Sequence, residues 1–159
     1  PKGKTELERM VDVDGEFLLA NDRLYVGSYQ GRMVALSATN GRILWSKPFS
    51  SYLGVDASLS QLFATDAEGY VQAFQKSNGL EFWKQESLFY RQTTAPTVLG
   101  KAVAVADYQG YVHFMAVQDG RFVAREQVDS SGVRGPMLSV DDVLYVYGNS
   151  GRLTALTLE

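Results

Sequence analysis

The sequence predicts an all-β fold, a β-propeller of four-stranded antiparallel blades, on three observations. Glycines recur in register, each is flanked by short apolar strand patterns, and Asn-Gly or Asp-Gly dipeptides follow at a fixed distance. The first glycine series is Gly31, Gly69, Gly110 and Gly151, at intervals of 38, 41 and 41 residues; the second, Gly41, Gly79 and Gly120, lies ten residues after the first in each repeat.

Each repeat opens with a short leading strand, as at Phe17 to Leu19 or Thr97 to Leu99. An apolar strand follows, at Leu24 to Gly27, Leu62 to Thr65, Lys101 to Ala106 and Val143 to Tyr147. The tight turns Tyr29-Gln30-Gly31, Ala67-Glu68-Gly69, Tyr108-Gln109-Gly110 and Asn149-Ser150-Gly151 lead into a third strand. Asn40-Gly41, Asn78-Gly79 and Asp119-Gly120 are expected to close two-residue hairpins, because both central positions of such a turn need positive φ. The fourth strand carries Trp45, Trp83 and Ala124 in equivalent places. Recurrence at one blade position assigns the two tryptophans to packing between blades rather than to stacking on a ligand.

These units divide the chain, one partial propeller over 1–159, into repeats at about 15–52, 53–92, 93–131 and 132–159, the last incomplete. Four blades close a ring poorly, so the chain reads as half of an eight-bladed propeller whose missing strand is expected upstream of Pro1. Such a piece exposes blade faces that a full ring buries, and is expected to dimerise, swap strands or be marginally stable alone.

Composition narrows the function. With 45% hydrophobic residues among 159, the chain can bury a real core. A formal charge of −3 gives no general attraction to nucleic acid or anionic lipid. The absence of Cys removes thiol chemistry, disulfides and Cys-ligated zinc. No apolar run approaches the roughly 20 residues that span a bilayer, and no signal segment precedes the repeats, so the chain reads as a soluble, processed or truncated piece. His113 is the only histidine, flanked by Val112 and Phe114 in an expected strand, and reads as a packed position. No GxSxG elbow is present. No catalytic, cofactor or metal residue is therefore assigned.

The blade run ALSATNGRILW at Ala35 to Trp45 resembles the pyrroloquinoline-quinone-type propeller repeat. Glu6 to Asp14 (ELERMVDVD), Gly110 to Ala116 (GYVHFMA) and Asp119 to Gly132 (DGRFVAREQVDSSG) resemble, more narrowly, the C-terminal half of the BamB family, lipoprotein propellers of the outer-membrane β-barrel assembly machinery. The resemblance covers essentially the whole chain. It implies a non-enzymatic, eight-bladed scaffold in the periplasm, lipid-anchored to the inner face of the outer membrane. Such a scaffold binds the periplasmic POTRA domains of BamA and assists insertion of outer-membrane proteins. Within this reading, exposed antiparallel blade edges suit strand addition by unfolded outer-membrane proteins as further partners. This chain has no lipidated Cys and no counterpart of the family's Leu-x-Leu-Arg contact in the other half.

The family's second contact, a pair of aspartates spaced by one residue, matches Asp12 and Asp14. In an extended MVDVD segment both point to one face while Val11 and Val13 point to the other, placing two carboxylates about 7 Å apart, suited to an Arg or Lys on a partner. Arg9 ranks second, since pairing with Glu6 or Glu8 would occupy it. Two other readings stand beside this one. A fragment of a quinone-dependent dehydrogenase would share the repeat, but such sites use calcium and often a vicinal disulfide. A generic interaction platform would recognise partners through loops Ser50 to Gly54, Leu88 to Thr94 and Asp129 to Gly135, where Phe89, Tyr90 and Arg91 have hot-spot composition. Burial of that trio between blades is the expectation.

Overall fold

A computed structural model describes residues 17–28, 31–51 and 53–158. Fifteen strands form four antiparallel sheets, and no helix occurs among the described residues. The first sheet runs in order β1(Leu18–Ala20), β2(Arg23–Gly27), β3(Gly31–Ser37), β4(Ile43–Phe49), and the second β5(Val55–Ala57), β6(Gln61–Thr65), β7(Val71–Gln75), β8(Glu81–Gln85). The third comprises β9(Thr97–Leu99), β10(Ala102–Ala106), β11(Tyr111–Ala116) and β12(Phe122–Gln127); the fourth has three strands, β13(Leu138–Val140), β14(Val143–Tyr147) and β15(Leu153–Leu156). Strand order equals chain order in every sheet, and the leading strands β1, β5, β9 and β13 neighbour one another. These are the blades of a propeller, all-β as the glycine periodicity predicts.

Three apolar seams join the four blades. Leu62 and Ala64 of β6 face Tyr25, Met33 and Ala35 of the first blade, whereas Phe63 between them faces Val103, Val105 and Met115 of the third. The period of two thus feeds two cores from one strand. A strand flanked on both sides has no solvent face, which is why QLFAT in β6 and AVAVA in β10 are buried at every position. Among the described residues the last blade has a neighbour on one side only, and alternation returns: Leu144 and Val146 of β14 are buried against the third blade, while Tyr145 and Tyr147 are exposed.

The tryptophans do pack between blades, each with a glycine of the next blade as its seat. The Trp45 indole donates from Nε1 to the carbonyl of Lys76 at 2.9 Å, and a Cβ on Gly79 would lie 2.7 Å from its ring. Trp83 repeats this one blade later, donating to the Val117 carbonyl at 2.9 Å over Gly120, where a Cβ would come within 2.5 Å of the ring. Any larger residue would push the indole out. A bulge positions each of these fourth strands. Ala35 pairs with Trp45 but Leu36 with Ile43, leaving Leu44 unpaired; Phe82 and Val123 are the unpaired residues of the next two blades.

The turns correct one expectation. Asn40-Gly41 does not form a two-residue hairpin: only Gly41 has positive φ, and the loop runs through residues 38–41, with Gly41 N–H donating to the Ser37 carbonyl and Arg42 N–H to Asn40 Oδ1. Asn78 and Asp119 repeat that side-chain bond to Leu80 and Arg121. Two-residue turns with both centres at positive φ occur instead at Asn21-Asp22 and Asp141-Asp142, between first and second strands.

Trp83→Ala should destabilise the chain by about 3–5 kcal/mol in urea titration, the usual cost of emptying a buried aromatic site. Gly120→Ala should also destabilise, and by much less in the Trp83→Ala background, because the clash partner is then gone.

Candidate functional site

Antiparallel connections alternate between the two ends of each blade. One end carries the turns between second and third strands together with the segments joining successive blades. There an aspartate at the head of the turn organises the backbone: Asp66 Oδ1 accepts from the N–H groups of Glu68 and Tyr70, and Asp107 Oδ1 from those of Gln109 and Tyr111. The second oxygen reaches a side chain of the following strand, Gln72 at 2.8 Å in one blade and His113 at 2.7 Å in the next. In the last blade the head residue is Gly148, and Asp129 of the linking segment takes over. Its Oδ2 accepts from the N–H and the hydroxyl of Ser150, in the space that a Gly148 side chain would fill. Those donors hold the Asp129 carboxyl at about 2, well below the usual range.

Asp107 is the most heavily bonded of these. It is fully buried, and besides His113 it accepts from Arg91 Nε at 2.6 Å; Arg91 also donates to Gln109 Oε1 at 2.6 Å. Burial alone would raise the Asp107 carboxyl, but the bonds from His113, the Tyr111 N–H and Arg91 outweigh it and the net shift is downward. Burial pushes His113 below its ordinary value; Asp107 opposes this, and Arg91 and Arg125 reinforce it. A second cation would be surplus beside a carboxylate already held by Arg91. His113 therefore stays neutral and donates its Nε2 proton to the ionised Asp107.

This node anchors the linking segment between the second and third blades, and that segment corrects the expected burial of Phe89 and Tyr90. Phe89 is 41% and Tyr90 76% exposed. Tyr90 and Gln92 adopt φ of 56° and 49°, left-handed conformations unusual for such residues, held by bonds from Tyr90 N–H to the Glu68 carbonyl and Tyr108 N–H to the Arg91 carbonyl. Phe89 stacks on Tyr70 with ring centroids 5.2 Å apart, and the Lys84 ammonium lies 3.9 Å over the other ring. Arg91 is drawn inward to Asp107, with Tyr108 at its flank. An exposed aromatic strip edged by cations on a hydrogen-bonded loop suits protein recognition.

Asp12, Asp14 and Arg9, the predicted partner-binding residues, lie outside the described residues. Among the described residues no group of three or more His, Cys, Asp and Glu is placed to hold a metal. His113 sits as expected, packed in β11, and its bond to Asp107 adds a partner to that packed position. The signal was available: Asp66 and Asp107 occupy one place in the repeat, and Gln72 and His113 each follow six residues later.

Residues 1–85 match the profile of the family described as outer membrane protein assembly factor BamB. The chain is 45% identical over 158 residues to the BamB of Pseudomonas aeruginosa, covering 99% of this chain and 42% of that protein. It is 39% identical over 158 residues to the BamB of Shewanella oneidensis, covering 99% and 40%. It thus spans less than half the length of the curated relatives it matches. The crystal structure of BamB from Moraxella catarrhalis superimposes with a TM-score of 0.87 at 26% identity, over 93% of this chain and 45% of that one.

The node makes stability depend on pH in a definite sense. A histidine whose folded pKa is depressed contributes nothing against it above the unfolded value of 6.5, and costs stability as pH falls through and below that value, since the unfolded chain takes the proton more readily. Asp107 and Asp129, depressed, hold their contribution above 3.8 and lose it below. Urea midpoints should therefore drop between about pH 7 and pH 5, and His113→Gln, which copies the Asp66–Gln72 arrangement, should flatten that limb and leave the more acidic one.

Proposed function

The chain belongs to the family of the outer membrane protein assembly factor BamB, and from that premise we propose that it forms the C-terminal blades of an adaptor in outer-membrane protein assembly. The observation that carries this reading is similarity to assembly factors along nearly the whole chain, over blades and linking segments alike. The adaptor is periplasmic, sits at the inner face of the outer membrane through the lipid anchor of the whole protein, and catalyses no reaction. Its four blades are one half of an eight-bladed ring.

Within this reading the partner is BamA, through its POTRA domains. Asp12 and Asp14 supply the contact on this half, two carboxylates spaced by one residue that suit charge-assisted bonds from a partner's Arg or Lys, with Arg9 close by in sequence. The aromatic strip of Phe89, Tyr90 and Tyr70 supports a second, less polar contact. Unfolded outer-membrane segments would add at open blade edges by strand pairing.

Calorimetric titration of the chain with BamA periplasmic domains should give binding, and Asp12→Arg with Asp14→Arg should weaken it at least about ten-fold, the scale for charge reversal at a hydrogen-bonded pair. Equal affinity in the double variant would move the contact away from these aspartates. Binding that survives there and falls in Tyr90→Ala would place it on the aromatic strip.

A further inference from the structure

At the opposite end of the blades, a cleft of about 340 Å³ opens between the first two blades, lined among others by Arg23, Tyr25, Leu59, Ser60, Lys76 and Phe82. Its floor is cationic. Lys76 follows β7 and is only 8% exposed, its ammonium donating to the Ser58 carbonyl at 3.1 Å. Arg23 reaches across the seam from β2 and donates from Nη1 to the Lys76 carbonyl at 3.0 Å, beside the Trp45 indole bond to the same oxygen. Among the described residues the ion pairs are Lys84 with Glu86, Arg91 and His113 with Asp107, and Arg121 with Asp119, so neither cation of the cleft has a described carboxylate within 4.0 Å.

Burying an ammonium against a neutral carbonyl is unfavourable, and a second cation nearby makes it more so. Burial, and then Arg23, push the Lys76 ammonium below its ordinary value. The rim is apolar. Leu59, in the loop between β5 and β6, is 95% exposed, and Phe82 is the unpaired bulge residue of β8, turned out of the ladder and half exposed. A cationic floor beneath two outward-facing apolar side chains is complementary to an anion carried on an apolar peptide.

We propose that this cleft binds a glutamate side chain of an extended peptide segment, its carboxylate meeting Lys76 and Arg23 and its apolar neighbours resting on Leu59 and Phe82. The depth of Lys76 below the rim selects the source of the carboxylate. A glutamate stem reaches down while its backbone stays at rim height, whereas a chain terminus would have to bring backbone N–H and C=O groups into the cleft. The site lies at the end of the blades opposite the aromatic strip and its test uses a peptide without BamA, so it succeeds or fails independently of the proposed BamA binding.

The test is an NMR titration of the ¹⁵N-labelled chain with N-acetyl-Phe-Glu-Leu-amide. The Gln analogue, the same Gln peptide with a free terminal carboxylate, and inorganic phosphate serve as comparisons. Expected are shifts at the amides of Ser60, Lys76, Ser77 and Phe82, and binding about ten-fold weaker for the amidated Gln peptide, for the Lys76→Gln variant and for Leu59→Glu, in line with loss of one charge-assisted contact. Leu59 is almost fully exposed, so Leu59→Glu keeps the fold and decides the matter should Lys76→Gln unfold. The proposal is overturned if the amidated Gln peptide binds within about two-fold of the Glu peptide, which corresponds to no ionic contribution. It also fails if the free-acid Gln peptide or phosphate binds as tightly as the Glu peptide, if Leu59→Glu leaves affinity unchanged, or if those amides do not move.

Discussion

The seat of an indole on a glycine of the next blade is the contact on which the rest of the architecture depends. A single blade is a four-stranded sheet with two apolar faces and has no core of its own; the core exists only in the seams. Trp45 and Trp83 each close a seam at its outer margin, satisfying the indole N–H on a carbonyl of the neighbouring turn while the ring covers the glycine. The bulge preceding each tryptophan sets the angle of approach and turns one apolar residue outward. The bulge before Trp83, which joins the second blade to the third, puts Phe82 on the rim of the cleft, while the Trp45 seat between the first two blades fixes the Lys76 carbonyl to which Arg23 binds.

At the other end the equivalent fixed point is a carboxylate. Asp66, Asp107 and Asp129 each gather backbone N–H groups that a tight turn would leave unpaired. Only Asp107 adds both an arginine and a histidine, and the segment pinned by that arginine presents Phe89 and Tyr90 to solvent in left-handed conformations. Rigidity and exposure thus have one cause. Pulling Arg91 inward holds the backbone on either side and leaves the adjacent aromatics nowhere to pack except on Tyr70 and one another. A recognition surface ordered in advance loses less entropy on binding.

Much of the fold is legible in the residues. Leu62 to Thr65 and Thr97 to Leu99 are strands in sequence and in structure, because β-branched and aromatic runs bounded by glycine turns are local signals. The tryptophans are assignable to packing because they recur at one blade position. The Asn-Gly turns mislead in detail: the dipeptide marks the corner, but the bulge in the pairing beyond it lengthens the loop to four residues, and the asparagine acts through its side chain rather than through positive φ. The exposure of Tyr90 was not legible either, since it follows from Arg91 being drawn to Asp107, sixteen residues on in sequence.

The sequence by itself determined the class, the repeat, the strands and the corner residues, and through its resemblance the family, because each rests on spacing or on local backbone preference. Tertiary structure alone decided which charges meet and which do not. Lys76 and Arg23 are 53 residues apart, and no spacing rule brings them together. Asp129 serves a turn that has no aspartate of its own, across 21 residues to Ser150. The physical reason is common to both: burial and electrostatics act between blades, through space, whereas the code that builds a blade is written along it.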